Sequence, residues 1–117
     1  MALQKSITLP NGATGDYIHI SEYARDVDNR YVSCHLNLFT SAAHYASQPA
    51  PKQPICLIAK LRLSGAKYDA YLSTAALAAV ADTEDAVRAQ LYVAAKVEPL
   101  IAGGGLQSIS LVDALDV

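Results

Sequence analysis

Residues 82–100 of this chain read DTEDAVRAQLYVAAKVEPL, and this is the one segment with helical punctuation at both ends. Asp82 can accept hydrogen bonds from the free amide groups of a first helical turn. Lys96 lies near the opposite end, where a positive charge is favoured by the helix dipole. Pro99 lacks an amide hydrogen and disfavours helix in the residue before it. The segment therefore predicts a helix that begins at Asp82 and ends near Val97.

The same segment has an apolar side. Val87, Leu91, Ala94 and Ala95 recur at helical spacing, which predicts a stripe on one face. Glu84 and Arg88 lie off this stripe. A helix of this kind covers an apolar surface, and the residues before it have the pattern of a β-sheet.

Composition narrows the class of protein. The chain has 117 residues, of which 52% are hydrophobic and 17% charged, so we expect a single domain over residues 1–117 with one core. The net charge of −2 predicts no nucleic-acid partner, because phosphate recognition needs clustered Lys and Arg. No membrane span or export is expected, since no apolar run is long enough. With so few charges, part of the surface is expected to be buried against other chains.

Alternating apolar residues predict the strands. The alternation covers residues 1–10, 17–23, 30–40 and 55–63. A turn over residues 10–16, with Gly12 and Gly15 at positions that permit positive φ, is expected to make a hairpin of the first two strands. The last two, which have the clearest period, are expected to be antiparallel neighbours.

The remaining segments carry weaker patterns. Residues 41–54 contain three of the five prolines after position 48 and are predicted to be a loop extending beyond the sheet. Residues 67–72 suit an edge strand or a bridging segment, and the glycines at 103–105 suit a flexible connection. Residues 109–111 suggest a last short strand. The predicted fold is α+β, mainly β, with a small antiparallel sheet or sandwich covered by one C-terminal helix.

No motif predicts catalysis, a cofactor or a metal. Cys34 and His35 are adjacent in a predicted strand, so they point to opposite faces and cannot share a zinc ion. Cys34 and Cys56 are expected to be buried, reduced thiols. Asp26 and Asp28 lie in a polar turn that lacks the glycine and distal glutamate of a calcium loop, so a solvated turn is expected. We therefore predict that the protein is not an enzyme and has no small-molecule substrate.

Tyrosine is the one enriched residue type with a bearing on function. The chain has seven tyrosines but no tryptophan, and amphipathic rings in strands and loops suit a protein interface. The alternative is that these tyrosines reflect strand propensity alone. The predicted interface residues, including two from the proline-rich loop, are Tyr17, Tyr23, Tyr31, Tyr45, Pro49, Pro51, Tyr68 and Tyr71.

Three segments resemble a known group of proteins. MALQKSITLPNGATGDYIHI at residues 1–20, YDAYLSTAAL at 68–77 and AQLYVAAK at 89–96, with the terminal LDV at 115–117, are similar to small structural proteins encoded in the tail modules of tailed bacteriophages. The resemblance implies a virion protein of the tail tip, baseplate or fibre-attachment region, assembled in the host cytoplasm. Its implied partners are copies of itself and other virion proteins. A capsid decoration protein and a small β-rich ligand-binding domain or enzyme are the alternatives.

Overall fold

The computed structural model describes residues 2–73, 76–77 and 84–117. In these residues the chain forms one six-stranded antiparallel sheet in the order β5-β4-β3-β2-β1-β6. The strands are β1 (Leu3–Thr8), β2 (Thr14–Asp26), β3 (Tyr31–Phe39), β4 (Cys56–Ser64), β5 (Ile101–Ala102) and β6 (Leu115–Asp116). The helices are α1 (Ala42–Ser47), α2 (Ala66–Leu72) and α3 (Glu84–Val97). The predicted α+β, mainly β fold is confirmed.

The long helix α3 ends at Val97, as predicted. Its predicted stripe of Val87, Leu91, Ala94 and Ala95 is buried in the core against the sheet. Arg88, which lies off this stripe, is half-buried: its guanidinium group lies 3.4 Å from Glu84, one turn away, and 5.9 Å from the centroid of the Tyr23 ring. The predicted cap at Asp82 lies outside the described residues.

The predicted hairpin and the predicted strand pair both form. β1 and β2 are antiparallel, and the turn between them has Gly12 at a φ of +89°, where a glycine avoids the steric cost of a side chain. Gly15 lies in β2 instead of in the turn, and a Cβ there would be 2.5 Å from the carbonyl oxygen of Phe39. Its role is therefore close strand packing, and the predicted turn role was wrong. β3 and β4 pair antiparallel from Tyr31 to Leu38.

A β-bulge in β2 changes which residues face α3. Ile20 opposes Leu36 and Glu22 opposes His35, so Ser21 is an extra residue in the strand. Side chains alternate along a strand, and one extra residue exchanges the two faces. Uninterrupted alternation over residues 17–23 would place Tyr23 with Tyr17 on the face away from Ile20. In the structure Tyr23 opposes the buried Cys34 and packs on the core.

Two short helices replace predicted irregular or extended segments. α1 forms within the predicted loop because Ser41 caps it and alanines follow; Gln48, which precedes Pro49, is extended and ends it. α2 occupies the segment predicted to be an edge strand or a bridging segment, and the spacing of buried Tyr68 and Leu72 is one helical turn. The capping Ser41 and the four-residue spacing of Tyr68 and Leu72 are helical patterns in the sequence. The prolines near α1 and the tyrosines of α2 favoured a loop and a strand instead.

The C-terminal segment is also more ordered than predicted. β5 pairs with β4 at one edge of the sheet and β6 pairs with β1 at the other. The glycines expected to be a flexible connection form a turn, with Gly104 and Gly105 at positive φ. The predicted strand at residues 109–111 is absent, since the strand in this region is β6. Leu106, Ile109, Leu111 and Ala114 instead pack on the core as the chain crosses the sheet.

Candidate functional site

Four rings form a cluster on the sheet face opposite α3. Tyr17 and Phe39 are opposed in β2 and β3, beside the buried Ile18 and Leu38 that face α3. Centroid distances from Tyr45 of α1 are 5.1 Å to Tyr17, 4.8 Å to His19 and 4.8 Å to Phe39. We call Tyr17, His19, Phe39 and Tyr45 the aromatic cluster. It forms a small second core, in which Phe39 is 1% exposed.

Lys52 holds the proline-rich loop against this cluster. Its ammonium group donates to the carbonyl oxygens of Tyr45, at 2.6 Å, and Gln48, at 3.0 Å. It also lies 4.4 Å from the centroid of the Tyr45 ring, within the range of a cation–π contact. Residues 41–54 were expected to extend beyond the sheet, and this prediction was wrong. The segment folds back over the sheet because Tyr45 packs on the aromatic side chains of β2 and β3.

His19 is the histidine of the aromatic cluster. Burial lowers its pKa to about 4, and the charges of Arg88 and Lys52 act in the same direction. Its Nε2 lies 3.4 Å from the Tyr45 hydroxyl, whereas its buried Nδ1 has no hydrogen-bond partner among the described residues. His19 is therefore neutral near pH 7, and its role here is packing.

Among the predicted interface residues, the three with the greatest exposure are in loops or at a strand end. Pro49 and Pro51 are exposed beyond α1, and Tyr31 at the start of β3 is 37% exposed. Tyr17 and Tyr45 are half-buried within the aromatic cluster, where their rings contact one another.

The remaining predicted interface tyrosines serve the interior of the protein. Tyr68 is 3% exposed, and its hydroxyl accepts a hydrogen bond from Nε of Arg25 at 3.0 Å. Its assignment to an interface was wrong, since the helix that carries it turns the ring inward. The Tyr71 hydroxyl donates to Glu98 at 3.1 Å. Burial raises the pKa of Tyr71, and the hydrogen bond to the Glu98 carboxylate raises it further.

Most of the large apolar side chains that are exposed lie in the last quarter of the chain. Of eight large apolar side chains that are exposed in the described residues, six follow position 90. They are Val93, Val97, Ile101, Val112, Leu115 and Val117, and we call them the C-terminal apolar residues. Val93 and Val97 are one turn apart, off the buried stripe of α3. The four-residue spacing of Val93 and Val97 is visible in the sequence, but the interface prediction was based on tyrosines and prolines and did not include them.

The two cysteines and the Asp26 carboxylate lie in the described residues. Burial raises the pKa of Cys34 to about 12 and also raises that of Cys56, so both are thiols. His35 lies on the face opposite Cys34, as predicted, and its Nδ1 is 3.0 Å from Glu22. The groove that includes Cys34 and His35 is open to solvent along the sheet surface. In the Asp26 turn the carboxylate accepts hydrogen bonds from Asn29, which lower its pKa.

Within residues 2–73, 76–77 and 84–117, no three His, Cys, Asp or Glu side chains are grouped so that they could hold a metal ion. None of the helices described there is both long enough and apolar enough to cross a bilayer.

Comparison with known proteins gave no match. Neither protein-family models, nor curated proteins, nor solved structures matched this chain.

Proposed function

We propose that this chain is a non-enzymatic virion structural protein of a tailed bacteriophage, in the tail tip, baseplate or fibre-attachment region. It acts by packing against copies of itself and against other virion proteins. The sequence resemblance in residues 1–20, 68–77 and 89–96 supports the phage assignment.

The exposed C-terminal apolar residues are the observation that carries the assembly role. Val97 and Val112 are each 69% exposed and Leu115 is 64% exposed, although the chain has few charged residues with which to keep such a surface soluble. These exposed side chains lie on α3, at Val93 and Val97, and on both edge strands, at Ile101 of β5 and Leu115 of β6. Large apolar side chains left exposed on a small domain mark surfaces that other proteins cover.

Self-association of the purified protein tests the assembly role. We expect sedimentation velocity to show oligomers that grow with concentration, and replacing Val97 and Leu115 by Ser to weaken them. The matched control replaces Val27, which is 62% exposed in the β2–β3 turn, by Ser and leaves association unchanged. A monodisperse monomer at all concentrations, together with absence from virions, would overturn the proposal.

Localisation in particles tests the phage assignment. Mass spectrometry of purified virions is expected to detect this chain, and micrographs of particles that lack it are expected to lose tail-tip density. Loss of density at the head surface would replace the tail assignment with capsid decoration.

A further inference from the structure

Both edges of the sheet end in strands of only two residues. β5 opposes only Ala59 and Lys60 of β4, and β6 opposes only Leu3 and Gln4 of β1. In the described part of the chain, no strand lies outside residues 61–64 of β4 or residues 5–8 of β1. Strand edges of this kind can pair with another chain.

The two edges differ in their ionised side chains: the cations at the β4 edge have no ion pair among the described residues, whereas the aspartates at the β6 edge are each paired with one lysine. Lys60 and the exposed Arg62 lie on β4, and neither has an ion pair within the described residues. At the opposite edge the side chains of Asp113 and Asp116 are 70% and 73% exposed.

The acidic edge keeps room for a further cation. Asp113 lies 2.8 Å from Lys5, and Asp116 lies 3.5 Å from Lys96. Each carboxylate has two oxygens and several acceptor positions, and its high exposure leaves most of them open. Apolar side chains accompany both edges, since Ile101 is 48% exposed beside the basic edge and Leu115 is 64% exposed at the acidic one.

We propose that copies of this chain associate head to tail through these edges. β6 of one copy lies along the β4–β5 edge of the next, with Asp113 and Asp116 facing Lys60 and Arg62. This inference rests on the proposed assembly role and specifies its geometry. A contact between two different surfaces produces rings or open filaments, depending on the rotation between copies.

Pairing of like edges is disfavoured by the backbone geometry. Ala2 and Val117 exchange both of their hydrogen bonds, so the backbone groups of the preceding Asp116 point outward. A two-fold contact between β6 strands would then oppose two Asp116 carboxylates, and like charges directly opposite each other are destabilising. A two-fold contact between two β4–β5 edges would likewise bring the cations Lys60 and Arg62 close to those of the other copy.

A charge exchange tests the head-to-tail arrangement. One variant carries Lys60→Glu with Arg62→Glu, and the other carries Asp113→Lys with Asp116→Lys. By sedimentation velocity we expect each alone to associate roughly tenfold or more weakly than the natural chain, and an equimolar mixture to recover association. Recovery is expected because every contact in an alternating assembly again joins opposite charges.

Controls separate charge at the edges from charge in general and from misfolding. Asp28→Lys with Asp85→Lys makes the same charge change away from both edges and is expected to associate normally. Lys60→Gln with Arg62→Gln removes the cations without reversal and is expected to weaken association less. Thermal unfolding of each variant verifies that it folds.

The outcomes distinguish this inference from the assembly role itself. If the natural chain associates but the edge variants associate equally well, or if the mixture does not recover, the head-to-tail geometry is overturned while the assembly role stands. If the natural chain remains monomeric at all concentrations, the head-to-tail geometry is overturned, and the assembly role is overturned with it if the chain is also absent from virions.

Discussion

One face of the sheet lies under α3 and the other lies under α1 only at one end. Ile18 and Tyr17 are neighbours in the chain, yet Ile18 is fully buried against the α3 layer while Tyr17 is half-buried beneath α1. The α3 face is filled mainly by aliphatic side chains. The α1 face carries the aromatic cluster and, beyond it, polar side chains that include His35 and Arg62.

The difference shows how a small domain divides stability between two layers. Aliphatic burial is roughly proportional to apolar area, so the α3 face contributes most of the stabilisation. The aromatic cluster adds contacts with specific geometry and holds one helix and one loop in position. We therefore expect substitutions under α3 to affect global unfolding and those under α1 to act more locally.

The largest expected effect comes from shortening a side chain at the centre of the α3 face. Leu91→Ala removes buried methyl groups from a fully buried position and is expected to lower the free energy of unfolding by about 2–5 kcal/mol. Urea denaturation measures it. Val93→Ala on the same helix is 50% exposed in the natural chain and is the control, with an expected change below about 0.5 kcal/mol. Equal effects at the two positions would contradict the layer assignment.

The next effect concerns the polar contact that joins α3 to the bulged strand. The buried amide of Ile20 donates to the Tyr92 hydroxyl at 2.7 Å, and burial raises the pKa of that hydroxyl to about 12. Tyr92→Phe leaves this amide without a partner, so we expect a loss of about 1–3 kcal/mol in urea denaturation.

Tyr31→Phe is the matched control for Tyr92→Phe. Tyr31 is partly exposed at a strand end, and water can replace its hydroxyl contacts, so little change is expected. A loss at Tyr31 as large as that at Tyr92 would show that the Ile20 contact is not the cause.

A smaller effect, which depends on pH, separates the aromatic cluster from the α3 face. In the folded protein the pKa of His19 is about 4, below its ordinary value of 6.5, so between these values the unfolded chain binds more protons. The stabilisation is therefore complete above pH 6.5 and is lost as the pH falls towards 4. Allowing for the partial exposure of His19, we expect a loss on the order of 1–2 kcal/mol.

Substitutions identify the titrating group. His19→Gln is expected to flatten the dependence of unfolding free energy on pH between 6.5 and 4, as measured by urea denaturation across that range. His44→Gln, at an exposed position of α1, is expected to leave it intact. An unchanged pH dependence in His19→Gln would show that another group is responsible.

The effect expected in the smallest part of the molecule comes from removing the Tyr45 ring. Tyr45→Ala removes the ring that contacts Tyr17, His19 and Phe39, and pairs of this kind contribute about 0.5–1.5 kcal/mol. Hydrogen exchange is expected to become faster in α1, while the amides of α3 keep their protection. Tyr71→Ala, which lies outside the cluster, is expected to leave exchange in α1 unchanged. Faster exchange in α3 would show that the two faces form one cooperative unit.

The accuracy of sequence-based inference followed the length of the periodic pattern. The extent of α3 to Val97 and the pairing of β3 with β4 were predictable, because each pattern runs through many residues. The short helices α1 and α2 and the two-residue strands β5 and β6 were missed, since segments of this size are held by tertiary contacts more than by their own propensity. For the candidate surfaces, tyrosine content predicted an interface position at Tyr68, which is buried, and gave no prediction for Val97, which is exposed.

By itself, the amino-acid sequence determined the class of fold, the helix that covers the sheet and the aliphatic residues beneath it. These follow from side-chain periodicity, which depends only on local backbone geometry. The tertiary structure decided the bulge at Ser21, which turns Tyr23 towards α3, and the return of α1 onto the strand aromatics. It also placed Arg62 and Asp116 at opposite edges of one sheet. Such features depend on contacts between residues far apart in the chain, which no local pattern records.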